Sequence, residues 1–583
     1  MSHDHHGGFH GPKCWLMTAI VGVVLGVVLG FVFPATFGEH PGGQEQAQNP
    51  LGPSQAKANG FGHQPATDVH ADPHGENQPG TDGQGTTQGG PGDGSSQAGE
   101  RAEPAHAGDG ESDAHDDGHG ESHGDHGPAP TIPVWLVVPF ALLLASIATM
   151  PFINAHFWHK HFPDFAFLLG SLIVAYYLTA FGTGDYSHGM SYGLYQVMHT
   201  GLEYYSFIAL VGGLYVVSGG ILIDLKGKGG PGLNCAILAL GAVLANIVGT
   251  TGASMLLIRP FMRVNQGRLK PLHIVYFIFI VSNCAGCLTP IGDPPLYLGF
   301  LKGVPFAWTL QHLWMDWAFV VAILLGMFAF YDKRVGAAEG VTTEAGARTS
   351  LNVRGTIGIF GLVLMIVGVF IDPMLKQFAG IEGIPVGATF QIAVAAACYK
   401  LAPKDILSAN EFNFFPVKEV GLLFVGIFAT MIPALGYLAT HGKELGLSGP
   451  AQFYYGTGAL SAFLDNAPTY LNFLQIAFGN PDLNPSAVAG DASISAQTVH
   501  TFLYEESGAD RHLGALILSA ISTGAVFFGA MTYIGNGPNF MVKSIADASG
   551  LKMPSFFGYL ARAVALLLPV LMLHHIVFFM LIG

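Results

Sequence analysis

Apolar runs of about 20 residues, the length that a hydrocarbon layer demands of a helix, recur along most of this 583-residue chain. Half of the residues are hydrophobic, only 11% are charged, and the mean hydropathy is +0.43. A soluble domain carries about twice that charged share. The runs imply an all-α polytopic membrane protein, since a helix satisfies its own backbone groups in lipid. Spans are expected near 133–151, 165–182, 203–224, 312–331, 355–372, 384–401, 419–439 and 556–581. With broken helices near 272–301 and 512–546, and with Trp15–Pro34, read as a signal anchor or a cleaved signal peptide, they give about eleven transmembrane helices.

Several runs are interrupted. Ser282–Gly299 contains Gly286, Pro290, Gly292, Pro294 and Pro295, which cannot continue a helix, and Asp293 stands among them. A second broken helix is expected at 512–546. Apolar hairpins near 233–262 and 450–478 are split by polar residues and are read as re-entrant pairs. The interruptions repeat: Thr289-Pro-Ile-Gly-Asp-Pro-Pro295 aligns with Thr532-Tyr-Ile-Gly-Asn-Gly-Pro538. Upstream lie Asn246-Ile-Val-Gly-Thr-Thr-Gly-Ala-Ser254 in the first half and Asp465-Asn-Ala-Pro-Thr469 in the second. Glu203 and Glu419 are each expected to open an apolar helix. The resulting division is an N-terminal segment 1–34, an insert 35–131, a first membrane repeat 132–331, a linker 332–353 and a second repeat 354–583 with a polar insert at 479–511.

The net charge of −15 is concentrated in one place. Residues 35–131 hold sixteen acids and two bases, or −14, leaving 23 acids against 22 bases elsewhere. This Gly/His/Asp/Gln-rich stretch has almost nothing to bury and is expected to be disordered. Its nine histidines, as in His115-Asp-Asp-Gly-His119, could hold Zn²⁺ or Ni²⁺ weakly, or could simply belong to a solvated acidic tether. No basic face suits nucleic acid. Of the five cysteines, Cys284 and Cys287 form a C-x-x-C that reads as small packing residues in a Gly/Ala-rich segment. Lys226, Lys228, Arg259, Arg263, Arg268 and Lys270 place the base of the first hairpin in the cytoplasm. Lys333, Arg334, Arg348 and Arg354 place the linker there, and Lys400, Lys404 and Lys418 the 402–418 loop. The acidic 479–511 insert puts the second hairpin outside, so the repeats are expected to be inverted, with the N-terminus cytoplasmic and 35–131 periplasmic.

A helix broken within a membrane exposes carbonyls on one side of the break and N–H groups on the other. Carbonyls together with Asp, Asn, Thr or Ser oxygens suit a hard cation such as Na⁺. The candidate ligands are Asp293, Asp465, Asn466, Asn246, Thr250, Thr251, Ser254, Ser282, Asn283, Thr289, Thr469, Thr532, Asn536 and Asn539. A carboxylate that can carry either a proton or a metal cation can exchange one for the other. Plainer roles stand beside this one. Asp465 and Asp293 could cap the helices that follow them, and the hairpin Asn, Thr and Ser side chains could serve the turn. Glu203, Glu419 and His199 fit interfacial positions.

Thr289-Pro-Ile-Gly-Asp293 and Asp465-Asn466 followed by Pro468 resemble the broken-helix and second-hairpin motifs of NhaD-type sodium/proton antiporters, within the ion transporter superfamily. Gly249-Thr-Thr-Gly-Ala-Ser-Met-Leu-Leu-Ile-Arg-Pro260 and Ser282–Gly299 resemble a bacterial family labelled both sodium:proton antiporter and citrate transporter. The likeness covers roughly 133–583. It implies a scaffold, a mobile domain with two hairpins, elevator-like alternating access, a homodimer and a bacterial inner-membrane location. Dicarboxylate symporters of the superfamily carry Ser-Asn-Thr at both hairpin tips, whereas Asp465 stands at one tip here and would repel a carboxylate substrate unless neutralised. The expectation is therefore Na⁺(Li⁺)/H⁺ antiport, with no resident cofactor and no enzymatic activity. The alternatives are transport of citrate or metal–citrate, and metal handling by the insert.

Overall fold

The computed structural model describes residues 12–33, 130–187, 189–227, 229–338, 350–381, 383–484, 496–504 and 513–582. Nearly all of the acidic insert, with its histidine clusters and its expected placement, lies outside the described residues, as do 339–349 of the linker and most of 485–512. The rest is a helical membrane protein in which eleven helices among the described residues are long and apolar enough to cross a bilayer.

In chain order the helices are α1 (Pro12–Val32), α2 (Val138–Ile153), α3 (Ala155–Ala180) and α4 (Tyr192–Gly219), then α5 (Pro231–Val264), α6 (Pro271–Ile280), α7 (Pro294–Leu301) and α8 (Phe306–Ala338). The second half holds α9 (Thr356–Ala379), α10 (Val386–Leu401), a short α11 (Lys404–Ala409) and α12 (Phe415–His441), then α13 (Pro450–Phe463), α14 (Asn466–Phe478), α15 (Ala496–Tyr504), α16 (Leu513–Phe528), α17 (Gly537–Ala548), α18 (Phe556–Leu566) and α19 (Leu568–His575). A π turn, Ile576–Leu581, follows.

The 34 residues of α5 would keep their ends about 50 Å apart in a straight helix. Instead Asn234 and Asn265, near those ends, exchange two side-chain hydrogen bonds of 2.9 and 2.7 Å. The segment therefore folds back on itself at Gly249, forming hairpin 1. Its base is fastened by a buried network. The Asp332 carboxylate of α8 accepts from Asn234 Nδ2 at 2.8 Å, pairs with Arg268, and lies 2.9 Å from His273 Nε2 on α6. Hairpin 2 is α13 and α14, joined by Leu464 and Asp465. Break 1 separates α6 from α7, and break 2 separates α16 from α17. These interrupted segments form the interior: every residue from His273 to Val281 is buried, as expected of a helix apolar on all sides.

Several boundaries differ from the sequence expectation, among them the start of α3, ten residues before 165. Helix α4 begins eleven residues before Glu203, so that glutamate lies mid-helix, not at an opening. It ends at Gly219–Gly220, after which β1 (Leu222–Lys226) pairs antiparallel with β2 (Ser350–Arg354), Asp224 facing Asn352. β2 alternates polar and apolar residues and β1 does so from Ile223 onward, a period-2 signal that the polar setting of the linker conceals. The linker also begins later, because α8 continues to Ala338. Pro569, with no N–H to donate, accompanies the division of the last span into α18 and α19.

Candidate functional site

Each of the four interruptions starts a half-helix, and the four starts meet at one carboxylate. Gly249 has φ 76° and ψ 156°, a region open in practice to glycine alone. Thr250, next in the chain, opens the returning arm of hairpin 1. Asp293 is the N-cap of α7, whose first residues are Pro294 and Pro295; proline suits a first turn, where an N–H has no helical partner. Asn466 opens α14, and Asn536 is the N-cap of α17.

The Asp293 side chain does not cap its own helix. It is buried, at 1% exposure. Its Oδ1 accepts from Thr250 Oγ1 at 2.8 Å and from Asn536 Nδ2 at 2.9 Å, while its Oδ2 accepts from Asn466 Nδ2 at 2.6 Å. All three donors are neutral, and each comes from a different interruption. Four helix N-termini add partial positive charge around the group. The arrangement offsets part of the cost of burying a carboxylate, with no lysine or arginine among its direct partners.

A repeated frame supports this crossing. Thr289 Oγ1 donates to the Asn246 carbonyl at 2.7 Å and accepts from Gly292 N at 3.1 Å. Thr532 Oγ1 donates to the Ala462 carbonyl at 2.5 Å and accepts from Gly535 N at 3.2 Å. Asn246 lies four residues before Thr250, and Ala462 four before Asn466, so the correspondence extends to the hairpins. Glycine is required where the strands of this frame cross. A Cβ on Gly286 would come within 2.7 Å of Thr250 Cγ2 and 2.9 Å of the Gly292 carbonyl.

The other predicted residues divide into groups. Asn246 donates to the Ala242 and Ala285 carbonyls and accepts from Leu288 N, bracing hairpin 1 against break 1. Asn283 Nδ2 donates to Asn539 Oδ1 at 2.6 Å, and Asn539 Nδ2 reaches the Gly529 and Thr532 carbonyls, joining break 1 to break 2. The Ser254 and Ser282 hydroxyls lie 2.9 Å apart. Asp465 is the N-cap of α14, accepting from Ala467 N at 3.1 Å. Thr469 donates to the Asp465 carbonyl at 3.0 Å. Neither is among the hydrogen-bond partners of Asp293. Cys284 and Cys287 are fully buried in the turn of break 1. Thr251 lines a narrow cleft between hairpin 1, break 1 and α4 that also includes Leu214, Tyr215 and Asp293. Its volume of ≈ 20 Å³ is about that of one water-sized particle. Among the described residues, no group of three or more His, Cys, Asp and Glu side chains could hold a metal ion.

Sequence reading did not single out Lys302, at the end of α7, which forms a 2.6 Å ion pair with Glu203 of α4; His199 Nδ1 lies 3.5 Å from the same oxygen. A basic residue closing a broken helix was the available signal.

Residues 129–579 match the family described as "Putative citrate transport". The chain belongs to this family. No curated protein sequence matches the chain. The citrate-transport match begins just before α2 and ends within the last π turn, so it takes in both hairpins and both breaks. The chain is thus a multi-pass membrane protein of a transporter family.

Proposed function

We propose that this protein is a secondary transporter that carries citrate together with a cation held at Asp293. The supporting observation is the meeting of four half-helix N-termini and three neutral donors at one buried carboxylate. Helix N-termini with convergent N–H and O–H donors also suit the carboxylates of a substrate. A tricarboxylate beside ionised Asp293 is repelled unless charge is placed between them. A cation meets that need, whether Na⁺, a proton or a divalent ion chelated by citrate. The terminal amides of Asn466 and Asn536 can serve both states, because turning an amide by 180° replaces its donor with an acceptor. Asn466 Oδ1 and Asn283 Oδ1, buried and without hydrogen-bond partners, are the oxygens such a cation would draw on. Access alternates if hairpins and breaks move as one body against α4 and α12, in the elevator manner, within the expected homodimer.

The second reading is Na⁺(Li⁺)/H⁺ exchange without citrate, supported by the cleft beside Asp293, which has room for one small particle only. Purified protein in liposomes separates the two. Labelled citrate uptake that requires a cation supports the first reading. Alkalinisation by Na⁺ or Li⁺ with no citrate uptake under any cation gradient overturns it in favour of the second.

A further inference from the structure

A further buried titratable pair lies apart from Asp293. Asp316 of α8 and His574 of α19 are both enclosed, at 3% and 0% exposure, and His574 Nε2 stands 2.7 Å from Asp316 Oδ1. The other ring nitrogen, Nδ1, is 3.1 Å from the Tyr454 hydroxyl of α13, and that hydroxyl is in turn 3.1 Å from the Leu571 carbonyl. The rings of Phe527, Phe578 and Phe579 surround the imidazole.

Counting hydrogens gives two arrangements of the same heavy atoms. In the first, Tyr454 donates to the Leu571 carbonyl, so His574 Nδ1–H donates to the phenol oxygen. A further proton then occupies the line between Nε2 and Oδ1, and the Asp–His pair is neutral overall. In the second, the Tyr454 hydrogen turns to His574 Nδ1, which becomes an acceptor. His574 Nε2–H then donates to ionised Asp316, and the pair carries one negative charge. The two differ by one proton, exchanged with water, and by the rotation of one hydroxyl. Both imidazole nitrogens keep a partner throughout, so loading and unloading need little rearrangement.

We propose that Asp316 and His574 form a proton-binding site, separate from Asp293, whose occupancy reaches hairpin 2 through the Tyr454 hydroxyl. The location suits coupling. Helices α8 and α19 close the first and second halves of the chain, and Tyr454 stands on the arm that leads to Asp465 and Asn466. On α8 the neighbouring Trp317 donates from Nε1 to the Ala285 carbonyl of break 1, an acceptor shared with Asn246. Among the described residues, the other titratable groups facing the cluster are Tyr455 on α13, His575 on α19, and the thiols of Cys284 and Cys287 in break 1. Proton binding itself is independent of the transport reading, whereas the coupling of that proton to substrate rests on it.

The test has two arms on the full-length protein in lipid. Infrared difference spectra are recorded as pH is stepped between about 5 and 9, the range in which histidine changes charge. Wild type is expected to show a carboxyl change lost in Asp316→Asn and an imidazole change lost in His574→Gln. Tyr454→Phe, which keeps the ring and removes the hydroxyl, is expected to retain both with a displaced midpoint. Superimposable spectra from wild type and the first two variants overturn the site. In the second arm, Asp316→Asn is expected to lose at least about tenfold of pH-gradient-driven accumulation while keeping labelled-substrate exchange at equal pH, a loss within the usual range of coupling energies. Full gradient-driven accumulation in that variant overturns the coupling. If wild type moves neither citrate nor Na⁺, the transport reading fails, and the spectra alone decide the proton site.

Discussion

The two halves of the interior share a frame but not a charge. Thr289 and Thr532 make the same pair of hydrogen bonds, from hydroxyl to hairpin carbonyl and from glycine N–H to hydroxyl. Four residues after each threonine stands the N-cap of the following half-helix, Asp293 in one half and Asn536 in the other. The hairpins diverge similarly: glycine at φ 76° turns the first, whereas Asp465 at φ −61° turns the second. A repeat of this kind builds a crossing of four helix starts. A single substitution between carboxylate and amide then gives the crossing one negative charge instead of two or none. Two acids, each accepting from the other half, would leave the crossing with more acceptors than donors.

The strongest way to break the comparison is to remove its one charge. Asp293→Asn is expected to abolish cation-dependent transport in liposomes while the protein still folds, since the amide oxygen retains an acceptor for Thr250 and Asn536. The double variant Asp293→Asn/Asn536→Asp moves the carboxylate to the matching position of the other half. It is expected to recover a measurable part of the activity, and complete inactivity of both would show that the halves are not interchangeable.

Next in size is the ion pair that joins α7 to α4. Both side chains are about nine-tenths buried, at 9% and 10% exposure. Lys302→Met leaves Glu203 buried without its cation, a loss on the order of 3–5 kcal/mol, read as a lowered melting temperature in detergent. Adding Glu203→Gln is expected to restore most of it, because the cost lies in the unpaired charge.

The threonines sharpen the comparison further. Thr289→Val and Thr532→Val each leave a buried carbonyl without its donor, at about 1–3 kcal/mol apiece. The two losses in stability are expected to agree, and transport is expected to fall further for Thr289→Val, whose loop ends at Asp293. Equal transport losses would mean that the frame, and not the charge, sets the activity.

Much of this was legible in the sequence, because lipid leaves few options for a backbone. Runs of about 20 residues fix the spans, and Gly–Pro clusters fix the breaks. The Thr-x-Ile-Gly repeat pointed to both threonines and to Asp293 and Asn536. What could not be read was partnership. Nothing in Asn466 or Thr250 alone says that they donate to Asp293 across 173 and 43 residues of chain. Lys302 sits at an ordinary helix end until α4 brings Glu203 to it. Asp316 had a signal of its own, an acid within the apolar run 312–331, but it is obscured by the richer motif just upstream. The β1–β2 ribbon was concealed because its alternating residues abut a helix on one side and a polar linker on the other.

The smallest effect is expected at the second acid. Asp465 and Asp293 both stand as N-caps, yet only Asp465 spends its carboxylate on the cap, accepting from Ala467 N. It is half-buried, where Asp293 is enclosed. Asparagine caps a helix about as well as aspartate, so Asp465→Asn is expected to change stability by less than about 0.5 kcal/mol. Asp465 does precede Asn466, whose amide donates to Asp293 Oδ2, so its charge lies near that carboxylate. Its removal is therefore expected to lower cation affinity, but by less than about tenfold, since a partly wet path weakens the interaction. Cation-titrated transport rates in the two single variants decide the point. A loss at Asp465→Asn as complete as at Asp293→Asn would mean that the cation bridges both acids, and that the hairpin tip and the helix break form one two-carboxylate site.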